Sequence, residues 1–109
     1  MMRDRHERIV ERRARKSAAY RKAFTRTRYQ IDLALLVREM REDSGLTQAE
    51  LAKKVGTTQS VIARLEDAEY SGRSLSMLER IAVACGVALK LHAEKKPHLD
   101  REVALVESV

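Results

Sequence analysis

The sequence has one cysteine, one proline, four glycines, one phenylalanine and no tryptophan in 109 residues. A lone cysteine, Cys85, excludes an intrachain disulfide and a CxxC metal site. With 4% aromatic residues, a stacking platform for single-stranded nucleic acid is not expected. No run of about 18 apolar residues is present, so no membrane span is expected. The N-terminus is too charged for a secretory signal. An intracellular, cytoplasmic protein is the simplest reading. His6, His92 and His98 are scattered without ligand spacing, so neither a metal nor a cofactor is expected. The motifs assemble no nucleophile, base and orienting group, so neither an enzyme nor a small-molecule substrate is expected. Cys85 sits at a small-residue position near a helix end, where apolar burial would keep its thiol inert.

What the chain does have is positive charge, unevenly placed. Its formal net charge is +6. Residues 1–28 hold 11 Arg and Lys against 3 Asp and Glu, a net +8. Residues 29–109 hold 11 against 13, a net −2. A basic balance favours polyanionic partners but does not decide a fold. Here it belongs to an N-terminal arm, while the body is close to neutral. A chain of this length has room for one modest core and an arm or tail.

Residues 3–24 contain neither Gly nor Pro and favour helix by propensity. Their apolar positions make only a thin stripe, so the helix needs a partner surface. From Ile31 to Asp43 the apolar face broadens, and Gly45 is the expected C-cap. Thr47 and Glu50 have the spacing of a capping box. Leu51, Ala52 and Val55 form the inner side of the helix that follows. Gly56 suits a left-handed turn position. Thr58 is the expected N-cap of the next helix. Ile62 and Leu65 point inward from it, while Gln59, Ser60, Ala63 and Arg64 point outward. A polar loop over 67–74 leads to a helix over Met77 to Cys85, which Gly86 ends. Val87, Leu89 and Leu91 then alternate with Ala88, Lys90 and His92, a strand pattern. After Pro97 the tail has no clear period and reads as strand or disorder.

The segment LTQAELAKKVGTTQSVIARLE, Leu46 to Glu66, thus reads as two short helices joined by a tight turn, with a polar outer edge on the second. That is the layout of a DNA-reading helix-turn-helix. The segment resembles the helix-turn-helix of the lambdoid phage repressors and the wider Xre family. The likeness is dense over residues 31–86. The long N-terminal extension and the strand after the fourth helix also resemble antitoxins of the HigA type. Those are Xre-fold proteins that neutralise a RelE-like ribonuclease and repress their own operon.

The resemblance implies roles for particular residues. Gln48 matches a phosphate contact that braces the glutamine opening the recognition helix. Gln59 matches that glutamine, which pairs with adenine, and a carboxamide has the donor and acceptor that adenine requires. Thr58 belongs to the same DNA-binding set. Ser60 and Arg64 occupy positions of base readers but depart from the glutamines of the phage relatives. An arginine there can bind guanine or hold a phosphate. Arg41 and Glu66 match a buried structural ion pair. Asp67-Ala68 replaces the Asn-Gly that the family often carries after this glutamate.

The basic arm has three readings: a solvated extension, a helix that folds onto a toxin, or a tracker of DNA phosphates. Its apolar positions favour protein contact, through Ile9, Val10, Arg13, Tyr20 and Phe24. The strand near 87–92 is a dimer strand through Val87, Leu89 and Leu91, an edge for β-augmentation by a toxin, or a core cover paired with the tail.

The expected architecture is all-α: an Xre-type helix-turn-helix domain over 29–96 with a single C-terminal strand, a helical arm over 1–28 and a tail over 97–109. The expected function is that of a homodimeric antitoxin of a type II toxin–antitoxin system. It would bind operator double-stranded DNA and neutralise a RelE/HigB-like ribonuclease. The alternatives are a stand-alone Xre-family repressor and an interaction scaffold that does not bind DNA.

Overall fold

A single helix, α1, runs from Arg5 to Asp43. The computed structural model describes the backbone of residues 5–107, and side chains from residue 17 onward except Thr25. Arg, Ala, Glu and Leu predominate along α1, and no Gly or Pro interrupts it, so nothing in its backbone chemistry stops the helix. It passes without a break through residue 28, where the charge balance changes. It stops at Gly45, whose N–H donates to Glu42 O at 2.9 Å.

Three shorter helices follow: α2 (Gln48–Val55), α3 (Gln59–Leu65) and α4 (Leu75–Cys85). Each begins with a hydroxyl cap. Thr47 accepts from Glu50 N, Thr58 from Val61 N and Ser74 from Met77 N. At the head of α2 the box is reciprocal, because Thr47 N–H also donates to Glu50 Oε1 at 3.0 Å. That backbone hydrogen bond holds the Glu50 carboxyl below its ordinary value. The turn between α2 and α3 passes through Gly56 at φ +83°, a left-handed conformation that strains any residue with a Cβ. Arg80 of α4 donates to Val55 O beside this turn and joins α4 to the end of α2.

The core takes one fully enclosed side chain from each helix: Val37, Leu51, Ile62 and Ile81. Met40, Ala52, Val55, Leu65, Leu78 and Ala82 complete it. Burying side chains of this size stabilises the fold by about 1.5–3 kcal/mol each. Ile62 and Leu65 face this core and so set which side of α3 is buried. Cys85 is a free thiol, half-buried against the same core.

The chain ends in an antiparallel hairpin of β1 (Leu89–Lys95) and β2 (Leu99–Val106). Its connecting turn contains a cis peptide bond at Lys96–Pro97 and is closed by His98 N–H donating to Lys95 O at 2.8 Å. This corrects the sequence-based expectation of one strand near 87–92. The strand begins two residues later, and the tail supplies its partner. A bulge between Leu89 and Lys90, and Arg101 on the face shared by Leu99 and Val103, explain why the tail showed no period. Leu89 pairs with Val106 but Lys90 pairs with Ala104, so Leu105 is an extra residue. The bulge shifts the phase, and adjacent Leu105 and Val106 are both half-buried. Val87 and Leu89 pack against the core of their own chain. Further out, Leu91 and Val103 pair directly on one face, with Leu99 toward the tip. All three are more than 40% exposed. Cross-strand pairs occupy the other face, Lys90 with Glu102 at 3.3 Å and His92 with Asp100 at 2.6 Å.

Candidate nucleic-acid interface

The outer edge of α3 is set by helical periodicity. Ile62 and Leu65 turn inward, which leaves Gln59, Ser60, Ala63 and Arg64 exposed. Thr58 is exposed just ahead of them, its hydroxyl oxygen accepting from Val61 N at 3.3 Å. Hydroxyl, carboxamide, hydroxyl and guanidinium therefore follow one another along one convex ridge. These groups can donate and accept hydrogen bonds along a nucleic-acid groove.

The ridge is held by an ion pair beneath its C-terminal end. Glu66, at the C-cap of α3, receives a two-point contact from Arg41 near the end of α1. Arg41 Nε donates to Oε2 at 2.6 Å and Nη2 to Oε1 at 2.8 Å. The two side chains are 13% and 6% exposed, so the pair is largely out of water. The Glu66 hydrogen bond raises the Arg41 guanidinium above its ordinary value, partly opposed by burial. The third guanidinium nitrogen, Nη1, donates to Leu46 O at 2.9 Å. One side chain thus connects α1, the α1–α2 loop and the end of α3. Gln48, at the head of α2, reaches Glu66 Oε1 at 3.4 Å. Among the described residues no hydrogen bond joins Gln48 to Gln59, so its carboxamide lies with the ion pair here.

A second arginine fixes the loop after α3. Arg73 donates from Nε to Leu65 O at 2.8 Å, from Nη1 to Tyr70 O at 2.5 Å and from Nη2 to Asp67 O at 2.5 Å. Burial lowers its pKa from the ordinary value. Asp67 Oδ1 in turn accepts from Glu69 N at 3.0 Å. The Tyr70 ring folds back over this loop, and its hydroxyl donates to Gly72 O at 3.3 Å. A Cβ at residue 72 would collide with that ring. Both Arg64 and Arg73 lie 5.8 Å from the centre of the Tyr70 ring. Sequence reading missed Arg73 and Tyr70. Their one signal was a glycine in a loop where the backbone itself needs no positive φ.

Other candidate residues lie apart from this ridge. Tyr20 and Phe24 are exposed on α1 with ring centroids 6.4 Å apart, while the side chains of Ile9, Val10 and Arg13 lie outside the described residues. A shallow groove of about 420 Å³ lies between α2, α4 and β2, with Lys54, Arg80, Val83 and Leu105 in its wall. It includes no residue of α3, and a groove reader presents a ridge rather than a hollow, so it is not part of the candidate interface. Among the described residues, no helix is long and apolar enough to cross a membrane.

The ion pair makes a direct prediction. Arg41→Met should destabilise the fold by about 3 kcal/mol, because it leaves the Glu66 carboxylate largely buried and unpaired. Urea denaturation measures the loss. The double variant Arg41→Met/Glu66→Leu should recover part of it, and failure to recover any would show that the uncompensated charge is not the cause.

Comparison with known proteins agrees with this arrangement. A family model described as "Helix-turn-helix domain" matches residues 32–94. A protein of Methanothermobacter thermautotrophicus strain Delta H, described as an "Uncharacterized HTH-type transcriptional regulator", is 51% identical over 51 residues. The match covers 47% of this chain and 72% of that protein. No solved structure matches. The span of the family match, from the second half of α1 to β1, contains the core, the Arg41–Glu66 pair and the whole α3 ridge: the chain belongs to the Xre-like helix-turn-helix domain family.

Proposed function

We propose that the protein is a sequence-specific transcriptional repressor that lays α3 in the major groove of its operator. The observation that carries this reading is the α3 ridge. Gln59, Ser60 and Arg64 are exposed beside the fully enclosed Ile62, on a helix whose roll is fixed from beneath. Gln59 is the adenine reader, Gln48 and Thr58 contact the backbone, and Ser60 contributes to base reading. Gln59→Ala should weaken operator binding by about 1–3 kcal/mol while hardly changing binding to random duplex. Fluorescence anisotropy on both DNAs tests this. An equal loss on both would remove Gln59 from base reading.

The repressor acts as a homodimer, with its second copy on the hairpin. A two-stranded hairpin is marginal alone, and the exposed Leu91, Leu99 and Val103, with Arg101 and Lys95 on the same face, supply apolar surface for a partner. Residues 89–106 hold four Lys and Arg against three Asp and Glu. Two hairpins can therefore approach without the repulsion that two arms at net +8 would meet. Two recognition helices would then address half-sites about one DNA turn apart. Leu91→Lys/Val103→Lys should convert a dimer to a monomer in sedimentation velocity. A wild-type protein that sediments as a monomer both free and on operator would remove the dimer.

One observation favours a second role, that of an antitoxin. Tyr20, Phe24, Ile31 and Leu35 are all exposed and fall within about 60° of one another around α1, on a side distinct from Val37 and Met40. Such a stripe on a basic helix suits a protein partner, here a RelE/HigB-like ribonuclease. Tyr20→Glu/Phe24→Glu should abolish protection of cells against a ribonuclease encoded beside this gene, with operator affinity unchanged. Undiminished protection would exclude the stripe as the contact. The absence of such a neighbour would leave a stand-alone repressor.

A further inference from the structure

Arg64 is the ambiguous member of the ridge, because an outward arginine on a recognition helix can read guanine or hold a phosphate. Its surroundings differ from those of Gln59 and Ser60. Arg64 lies in the last turn of α3, and its guanidinium carbon is 5.8 Å from the centre of the Tyr70 ring. The contact draws the side chain toward the loop that follows α3 and away from the N-terminal part of the helix, which in a helix-turn-helix meets the bases.

Two cations share this ring, and they are used differently. Arg73 directs Nε, Nη1 and Nη2 into carbonyls of the protein. Its charge is fixed in place, and its donors are engaged. Arg64 is exposed, and among the described residues no hydrogen bond or salt bridge occupies its guanidinium. Attraction to a ring face consumes none of its N–H donors. Nor does a described carboxylate neutralise either cation by direct contact: Glu66 is taken by Arg41, and Asp67 Oδ1 accepts from Glu69 N. The result is a free guanidinium fork beside a second, half-buried positive charge, at the loop end of the ridge. That is the chemistry of an anion clamp.

We propose that Arg64 is a phosphate clamp held in position by Tyr70, and that it sets affinity for the duplex backbone rather than sequence. Tyr70 is a positioning residue: its ring fixes where the guanidinium stands. The loop supports the ring in turn, through the Arg73 carbonyl contacts and the room left by Gly72. This inference rests on the proposal that α3 binds operator DNA.

The test is anisotropy with full-length protein on operator and random duplex across a salt series. Arg64→Ala should weaken both DNAs by a similar factor, about five- to ten-fold, and reduce the slope of log affinity against log salt by about 1. Tyr70→Leu should weaken both by about two- to five-fold, the size of an exposed cation–π contact. Tyr70→Phe keeps the ring and should bind like wild type. In an Arg64→Ala background, Tyr70→Leu should have no further effect on DNA, an outcome that general damage to the loop would not produce. Loss on operator alone, with random duplex unchanged, would make Arg64 a base reader and overturn the proposal. So would an unchanged salt slope, or a Tyr70→Leu effect that persists without Arg64. A wild-type protein that binds neither duplex would instead overturn the DNA-binding reading beneath it.

Discussion

The structure depends most on the Arg41–Glu66 pair. A carboxylate at the C-cap of α3 and a guanidinium near the end of α1 meet at two points, with little water access. A planar fork opposite a planar carboxylate fixes orientation as well as distance, which a lysine could not do. Arg41 also donates to Leu46 O, so the loop that delivers α2 is held by the same group. Hydrophobic contacts alone would tolerate a small roll of α3, since Ile62 and Leu65 pack among other aliphatic side chains. The ion pair removes that freedom.

Around this constraint the chain separates its surfaces by chemistry. The α3 ridge is polar and convex. One face of the hairpin carries Leu91, Val103 and Leu99 together with Arg101 and Lys95, and the other carries the Lys90–Glu102 and His92–Asp100 pairs. The stripe on α1 is aromatic and aliphatic, on a helix whose first part carries the net positive charge of the chain.

Much of the body was legible in the sequence because its signals are local. Thr47 and Glu50 are three residues apart, Thr58 stands directly before its helix, and Gly56 marks the turn. Ile62 and Leu65 take opposite sides from Gln59 and Arg64 by period alone. What was not legible depends on residues distant in sequence, or on a broken period. The bulge at Leu89 put Leu105 and Val106 out of phase, which hid β2 and made one strand of a hairpin. Arg73 looks like one more surface charge until the carbonyls of Leu65, Asp67 and Tyr70 are seen around it. Tyr70 carries no periodic signal, and its relation to Arg64 exists only once the loop closes.

The unbroken course of α1 has a mechanical consequence. The helix that presents Tyr20 and Phe24 is the same one that inserts Val37 and Met40 into the core and offers Arg41 to α3. At about 1.5 Å per residue, the aromatic pair stands roughly 30 Å from that ion pair, with no joint between them. The helix is a lever: its outer part is held at a set distance from the α3 ridge. Any turning of its outer part is delivered as torque to the segment that offers Arg41 to Glu66.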